Sequence, residues 1–143
     1  MATDRKANVV WEGDLLHGSG TIEKVPSGAF GPLDVSWPAR AERPNGKTSP
    51  EELIAAAHAA CFAMALSHGL AGAGTPPERL ETASTVTFQP GEGITRIVLT
   101  VRGTVPGLDA DAFQAAADEA KRTCPVSAAL AGVPEISLHA ELA

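Results

Sequence analysis

This chain contains two cysteines, and the surroundings of each favour thiol chemistry. Cys61 lies in a long stretch without Asp, Glu, Lys or Arg, LIAAAHAACFAMALSHGL, which follows the helix-start signal SPEE. Cys124 stands immediately before Pro125 in TCPVSAAL, where one predicted helix ends and another begins. A thiol inside a buried helix and a second thiol at a helix boundary indicate a redox pair rather than a structural crosslink.

A reactive Cys61 requires a nearby positive charge. The thiolate is the nucleophile, and burial alone raises the pKa of a thiol because it disfavours the charged form. The candidate cation is Arg40, which precedes the loop that leads into the helix of Cys61, and Arg43 and Lys47 in that loop are alternatives. Without such a role, Arg40 would be a solvated arginine at the end of a strand.

The two glutamates at the start of this helix differ in the roles open to them. Ser49 is the predicted N-cap, and Glu52 three residues later completes a capping box, so its carboxylate is expected to be engaged by the helix terminus. Glu51 has no such duty and could hold an arginine through a bidentate pair. Its alternative role is a favourable interaction with the helix dipole, worth about 0.3–1 kcal/mol.

Cys124 and His58 each have a functional and a structural interpretation. Unpaired N–H groups at a helix N-terminus favour a thiolate, which suits Cys124 as a resolving cysteine, whereas a packing cysteine at a helix junction is the alternative. His58 precedes Cys61 by three residues, so the pair could form a cysteine–histidine nucleophile or half of a metal site. The structural alternative is a packed histidine that is hydrogen-bonded to a carbonyl.

Composition and charge narrow the classes of function. The chain has the length of one domain (residues 1–143) and a net charge of −6 with scattered Lys and Arg, so no nucleic-acid-binding surface is expected. The polar N-terminus MATDRKANVV is unlike a signal peptide, which predicts the cytoplasm. Residues 53–74 have transmembrane length, but Ala and Gly dominate them, so a buried helix rather than a membrane span is predicted.

The order of the predicted elements indicates an α+β protein. Alternating apolar residues predict strands, and capped runs with helical periodicity predict helices. The elements are strands at residues 8–12, 20–25 and 34–39, a long helix after Ser49, a hairpin of residues 82–88 and 94–105, a helix from Asp109 to about Thr123, a short helix from Pro125 and a strand at residues 135–142. The long helix is apolar around most of its circumference, which predicts a buried central helix. Because aromatic residues are few, the core must be built mainly from Ala, Val, Leu and Ile, and a second subunit is expected to complete it.

Nearly the whole chain resembles the OsmC/Ohr family of osmotically induced and organic hydroperoxide resistance proteins. The resemblance is carried by the segments VVWEGDLLHGSGTI, SPEELIAAAHAACFAMALS, VPGLDADAF and TCPVSAAL. The sequence HAACF is similar to the OsmC branch rather than the Ohr branch. The resemblance implies an intertwined homodimer in which antiparallel β-sheets wrap two long central helices, with the active sites at the subunit interface.

The resemblance also implies a thiol peroxidase for stress defence that reduces organic hydroperoxides, and hydrogen peroxide as a substrate stays open. Cys61 would be the peroxidatic cysteine, Cys124 the resolving cysteine, Arg40 the active-site arginine and Glu51 its partner, with Glu52 as the alternative. No bound cofactor or metal is implied. An external dithiol, of lipoyl type by resemblance, would reduce the disulfide.

Three other functions are compatible with the same residues. A redox-sensing binding protein would oxidise the two cysteines stoichiometrically without turnover. A structural zinc domain would use Cys61, Cys124 and His58 as ligands. A hydrolase or thiol transferase would use Cys61 with His58 as its base and would not need Cys124.

Overall fold

The computed structural model describes residues 1–143 and confirms the α+β class, with six strands and four helices. In chain order these are β1 (Val9–Glu12), β2 (Ser19–Ile22), β3 (Leu33–Val35), α1 (Trp37–Ala41), α2 (Pro50–Gly72), β4 (Arg79–Gln89), β5 (Gly93–Thr104), α3 (Ala110–Thr123), α4 (Pro125–Ala129) and β6 (Glu135–Leu142). The chain forms two compact units, residues 1–53 and residues 54–143. The assignment of the whole chain to a single domain therefore stays a prediction.

The first unit contains an antiparallel sheet in the order β1-β2-β3, followed by α1. The expected strand at residues 34–39 is wrong beyond Val35. Ser36 instead acts as an N-cap, because its Oγ accepts a hydrogen bond from the backbone N–H of Ala39 at 3.2 Å. Pro38 lies in the first turn of α1, where a missing N–H costs nothing. This short helix, rather than a strand, carries Arg40 in its last turn.

The second unit contains a sheet in the order β4-β5-β6 and the helices that cover it. β4 and β5 form the expected hairpin, but β6 pairs with β5 in parallel, so the sheet is not wholly antiparallel as expected. A parallel neighbour requires a crossover connection, and α3 and α4 provide it. α3 packs closely on the sheet, since a Cβ on Gly103 would lie only 2.5 Å from the ring of Phe113.

The core of the second unit is a single cluster of hydrophobic side chains drawn from α2, β5 and α3. Alternation along β5 buries Ile97, Leu99 and Val101 and exposes Arg96 and Arg102, as the sequence predicts. The cluster comprises Phe62, Leu66, Leu70, Leu99, Val101, Val105, Phe113, Ala117, Ala120 and Cys124. One of the two cysteines is therefore a core residue.

Helix α2 begins where the capping signal predicts. The backbone N–H of Glu52 donates to Ser49 Oγ at 3.1 Å, and the Glu52 carboxylate accepts a hydrogen bond from Thr48 Oγ1 at 2.8 Å. Glu52 is thus engaged at the helix terminus. Its neighbour Glu51 points into the protein, with 7% of its surface exposed.

Within this one chain α2 is buried along a single stripe and not all round. His58, Phe62, Leu66 and Leu70 recur every four residues and are buried, whereas Met64 is 73% exposed. The helix is long and apolar enough to cross a membrane, a test that the core helix of a globular protein also passes. The exposed apolar side of α2, which includes Met64, is called its bare face below. Hydrophobic surface of this kind is normally buried against another part of the protein or a partner.

Candidate active site

The two cysteines of the second unit meet between α2 and α4. Cys61 lies near the middle of α2 and is half-buried, whereas Cys124 is fully buried at the N-cap of α4. Both are free thiols, and Cys61 packs against the buried cluster that contains Cys124, so that each thiol shifts the pKa of the other. Two reduced thiols in direct contact are the arrangement from which a disulfide can form.

Burial and hydrogen bonding give the two thiols opposite pKa shifts. Burial, followed by the interaction with Cys124, raises the pKa of Cys61 above its ordinary value. Burial also tends to raise the pKa of Cys124, but hydrogen bonds from Cys61, from the backbone and hydroxyl of Ser127 and from the backbone of Val126 lower it overall. When the pair of thiols loses one proton, the remaining proton therefore favours Cys61 and the negative charge favours Cys124, whose position at the N-terminus of α4 also suits a thiolate.

Arg40 and Glu51 form an ion pair in the first unit. The Arg40 Nε donates to Glu51 Oε1 at 2.9 Å and to Oε2 at 3.2 Å, and Nη2 donates to Oε1 at 2.8 Å. The Glu51 side chain is 9% exposed and the Arg40 side chain 32%, so the pair is partly shielded from water. The structure thus places Glu51, and not Glu52, on Arg40 through the charge-assisted geometry that guanidinium and carboxylate favour.

His58 has a different partner from the carbonyl that the structural alternative named. Its Nε2 lies 2.7 Å from the hydroxyl oxygen of Ser127, and both residues are buried. Burial lowers the pKa of His58 below its ordinary value of 6.5, so the imidazole is neutral at pH 7. Ser127 was not among the residues singled out in the sequence, although its position three residues after Cys124 in TCPVS is a signal that could have found it.

The zinc-site alternative finds no ligand cluster in the structure. No group of three or more His, Cys, Asp or Glu side chains is arranged to hold a metal ion. The Nε2 of His58 is instead engaged by Ser127.

A family profile and a full-length relative both relate this chain to OsmC proteins. The profile of the family described as OsmC-like protein matches residues 43–139. The chain is 41% identical over 145 aligned positions to the peroxiredoxin OsmC of Escherichia coli strain K12, covering 99% of each protein.

Solved structures agree with these sequence matches. An organic hydroperoxide resistance protein OsmC from Legionella pneumophila superposes with a TM-score of 0.70 at 25% identity, covering 95% of this chain and 96% of that one. The organic hydroperoxide resistance protein OhrB of Bacillus subtilis gives a TM-score of 0.66 at 27% identity over 96% of this chain and 98% of its own.

Proposed function

The chain belongs to the OsmC-like protein family, and we propose that it is a cysteine-dependent peroxidase that reduces organic hydroperoxides in the cytoplasm. The observation that carries the proposal is the direct contact between the reduced thiols of Cys61 and Cys124. The similarity to a peroxiredoxin and to organic hydroperoxide resistance proteins supports the same class of reaction.

The first step of the proposed reaction is attack of the Cys61 thiolate on the peroxide. The sulfur forms a bond to the terminal OH oxygen of the hydroperoxide, the O–O bond breaks, and the alkoxide leaves with the electron pair of that bond and takes a proton from the solvent, which gives a Cys61 sulfenic acid and an alcohol. Since burial raises the pKa of Cys61, this step requires added positive charge. We propose that Arg40 supplies this charge and that the bidentate pair with Glu51 fixes the direction of the guanidinium.

The second step closes the disulfide. Cys124 attacks the sulfenic sulfur and water is released, which requires the two Cα atoms to lie about 4.4–6.8 Å apart. The half-buried setting of Cys61 leaves the disulfide accessible from one side. An external dithiol of lipoyl type then reduces it by thiol–disulfide exchange, so that no bound cofactor is needed.

We propose further that the working unit is a homodimer. The bare face of α2 includes Met64 at 73% exposure, and the edge strand β1 exposes Val9 and Val10 at 57% and 47%. Edge strands and apolar patches of this kind are normally covered in a stable protein. A second copy of the chain would cover both.

Steady-state consumption of cumene hydroperoxide with excess dithiol tests the proposed function. The parent chain is expected to turn over, Cys61→Ser to be inactive, and Cys124→Ser to fail to form an intramolecular disulfide. Loss of one equivalent of peroxide without turnover, across several dithiols, would favour the redox sensor instead. Full activity of Cys61→Ser would exclude the peroxidase mechanism.

A further inference from the structure

We propose that Ser127 and His58 prepare the resolving cysteine for attack, with His58 Nε2–H donating to the Ser127 hydroxyl and that hydroxyl donating to the Cys124 sulfur. In calling Cys124 the resolving cysteine the proposal rests on the proposed function. Of its two links, the contact between His58 Nε2 and Ser127 Oγ is present at 2.7 Å in the reduced protein, and the Ser127 hydroxyl is among the groups that lower the pKa of Cys124. Ser127 touches the reacting sulfur, and His58 is a positioning residue that acts through Ser127.

Two matched spacings create this arrangement. His58 and Cys61 are three residues apart on α2, and Cys124 and Ser127 are three residues apart at the start of α4. Residues at this spacing lie on the same face of a helix. The two faces meet in two adjacent contacts: the thiol of Cys61 reaches Cys124, and the imidazole of His58 reaches Ser127 at 2.7 Å.

The Nδ1 atom of His58 indicates which groups donate in the hydrogen bonds between His58, Ser127 and Cys124. His58 Nδ1 is buried and has no hydrogen-bond partner. A buried N–H without an acceptor is costlier and rarer than a buried acceptor without a donor, so we place the proton of the neutral imidazole on Nε2. Nε2–H then donates to Ser127 Oγ, and the Ser127 proton is left to point at Cys124.

The surroundings of the Cys124 sulfur offer few groups that could stabilise a negative charge. The side chains that share the core with Cys124, from α2, β5 and α3, are hydrophobic. The groups that face its sulfur are Cys61, the hydroxyl and N–H of Ser127 and the N–H of Val126. Because Cys124 is fully buried, hydrogen bonds are what stabilise the charge of its thiolate.

Charged residues of α3 also lie near Ser127. Asp118, Lys121 and Arg122 of α3 line a surface cleft that Ser127 borders. None of them is among the groups that shift the pKa of Cys124, and burial alone shifts that of His58. The side-chain groups that lower the pKa of Cys124 are therefore the Cys61 thiol and the Ser127 hydroxyl, and the hydroxyl is the one that His58 contacts.

In the resolving step the hydrogen bonds from Ser127 and His58 keep the nucleophile, Cys124, in its thiolate form. The Cys124 thiolate donates an electron pair to the sulfur of the Cys61 sulfenic acid, the S–S bond forms and the S–O bond breaks. Hydroxide leaves with the electron pair of that bond and takes a proton from the solvent to give water. Cys124 is oxidised, the sulfenic oxygen is removed, and Ser127 and His58 end the step unchanged.

The test is a titration of Cys124 in the Cys61→Ser background, where it is the one remaining thiol. Ultraviolet absorbance of the thiolate is followed against pH in that background and with Ser127→Ala, His58→Phe, His58→Gln and the double change Ser127→Ala/His58→Phe. The matched controls are Ser137→Ala, a serine whose hydroxyl is buried without a partner, and His68→Gln, an exposed histidine of α2.

We expect Ser127→Ala to move the titration midpoint up by about one pH unit, the effect of one hydrogen bond to a charged group. His58→Phe should produce a similar rise and the double change no more than either alone, because the residues act as a unit. His58→Gln should retain the parent midpoint, since its amide can donate to Ser127. An unchanged midpoint in Ser127→Ala, or an equal rise in Ser137→Ala, would overturn the proposal, and a His58→Gln midpoint as high as that of His58→Phe would remove His58 from it.

This titration uses no peroxide, so its result is separate from that of the proposed function. If the protein does not turn over hydroperoxide but Ser127→Ala still raises the titration midpoint of Cys124, the peroxidase function is refuted. The hydrogen bonds from His58 through Ser127 to Cys124 are then retained. In an active parent, Cys61 is first oxidised with one equivalent of peroxide, and the later formation of the disulfide is followed with and without Ser127→Ala. Disulfide formation at neutral pH should then slow about tenfold.

Discussion

The thiols of Cys61 and Cys124 lie together in the core, and this one contact raises the pKa of Cys61 and lowers that of Cys124. It helps Cys124 to carry negative charge and discourages Cys61 from doing so. The reduced pair is therefore arranged for the second chemical step. The first step depends on charge brought to Cys61 from elsewhere, the role proposed for Arg40.

Removing Cys124 should make Cys61 easier to ionise. In Cys124→Ala the interaction that raises the pKa of Cys61 is absent, although the effect of burial remains. We expect the pH midpoint for alkylation of Cys61 by iodoacetamide to fall and the rate at neutral pH to rise. Ser137→Ala serves as the control. A midpoint that stays constant or rises in Cys124→Ala would contradict the claim that Cys124 raises the pKa of Cys61.

The Arg40–Glu51 pair should be essential for the peroxidatic step. Glu51→Gln removes the charge that fixes the guanidinium, so kcat/KM for cumene hydroperoxide should fall by about tenfold or more, equivalent to about 1.4 kcal/mol of transition-state stabilisation. Arg40→Lys should also lose activity, because an ammonium cannot reproduce the bidentate pair. Glu52→Gln is the matched control, as Glu52 contacts Thr48 at the helix terminus. Equal losses in the Glu51 and Glu52 variants would argue against the assignment.

Buried His58 should make stability depend on pH. Its pKa is lowered in the folded protein, so below about pH 6.5 the unfolded chain binds a proton that the folded chain does not. The stabilisation is complete above the unfolded pKa of 6.5 and is lost as the pH falls towards the folded value. Over that range the free energy of unfolding should decline by up to about 1.4 kcal/mol per pH unit.

Urea unfolding at about pH 7 and about pH 5 measures this dependence. His58→Gln should show a smaller loss of stability on acidification than the parent. His68→Gln should keep the parent's loss, because His68 is exposed on the same helix. A parent and a His58→Gln variant with equal losses would show that His58 is protonated in the folded state.

The bare face of α2 should be a contact between subunits. Met64→Glu places a charge on that face and should shift the protein from dimer towards monomer, as measured by sedimentation equilibrium. Ala115→Glu, on the exposed face of the amphipathic helix α3, is the control and should leave the dimer intact. A parent that is monomeric, or a dimer unaffected by Met64→Glu, would contradict the proposed assembly.

Local signals allowed the main elements to be predicted, because capping and alternation depend on neighbouring residues. Asp109 Oδ1 accepts a hydrogen bond from the N–H of Ala112 at 2.8 Å, and α3 begins there as predicted. The apolar residues after Val35 alternate, a pattern that predicts a strand, yet these residues form the helix α1. The N-cap at Ser36, with a proline in the following turn, was the competing signal that decided it.

Contacts between distant segments could not be predicted in this way. The partner of His58 lies 69 residues away along the chain, and no local pattern links the two. The parallel pairing of β6 similarly depends on how α3 and α4 return the chain to the sheet. The cysteines were identifiable because each lies in a distinctive segment, whereas their opposite pKa shifts follow from burial, from the contact between the two thiols and from the hydrogen bonds of Ser127 and Val126.

The most direct test of the central claim is the product formed when the reduced protein meets one equivalent of cumene hydroperoxide without a reductant. Non-reducing digestion and mass spectrometry would identify it. We predict one intramolecular disulfide between Cys61 and Cys124, absent from Cys61→Ser, with Cys124→Ser accumulating the Cys61 sulfenic acid instead. A parent chain that consumes the peroxide and leaves both cysteines as thiols would contradict the account.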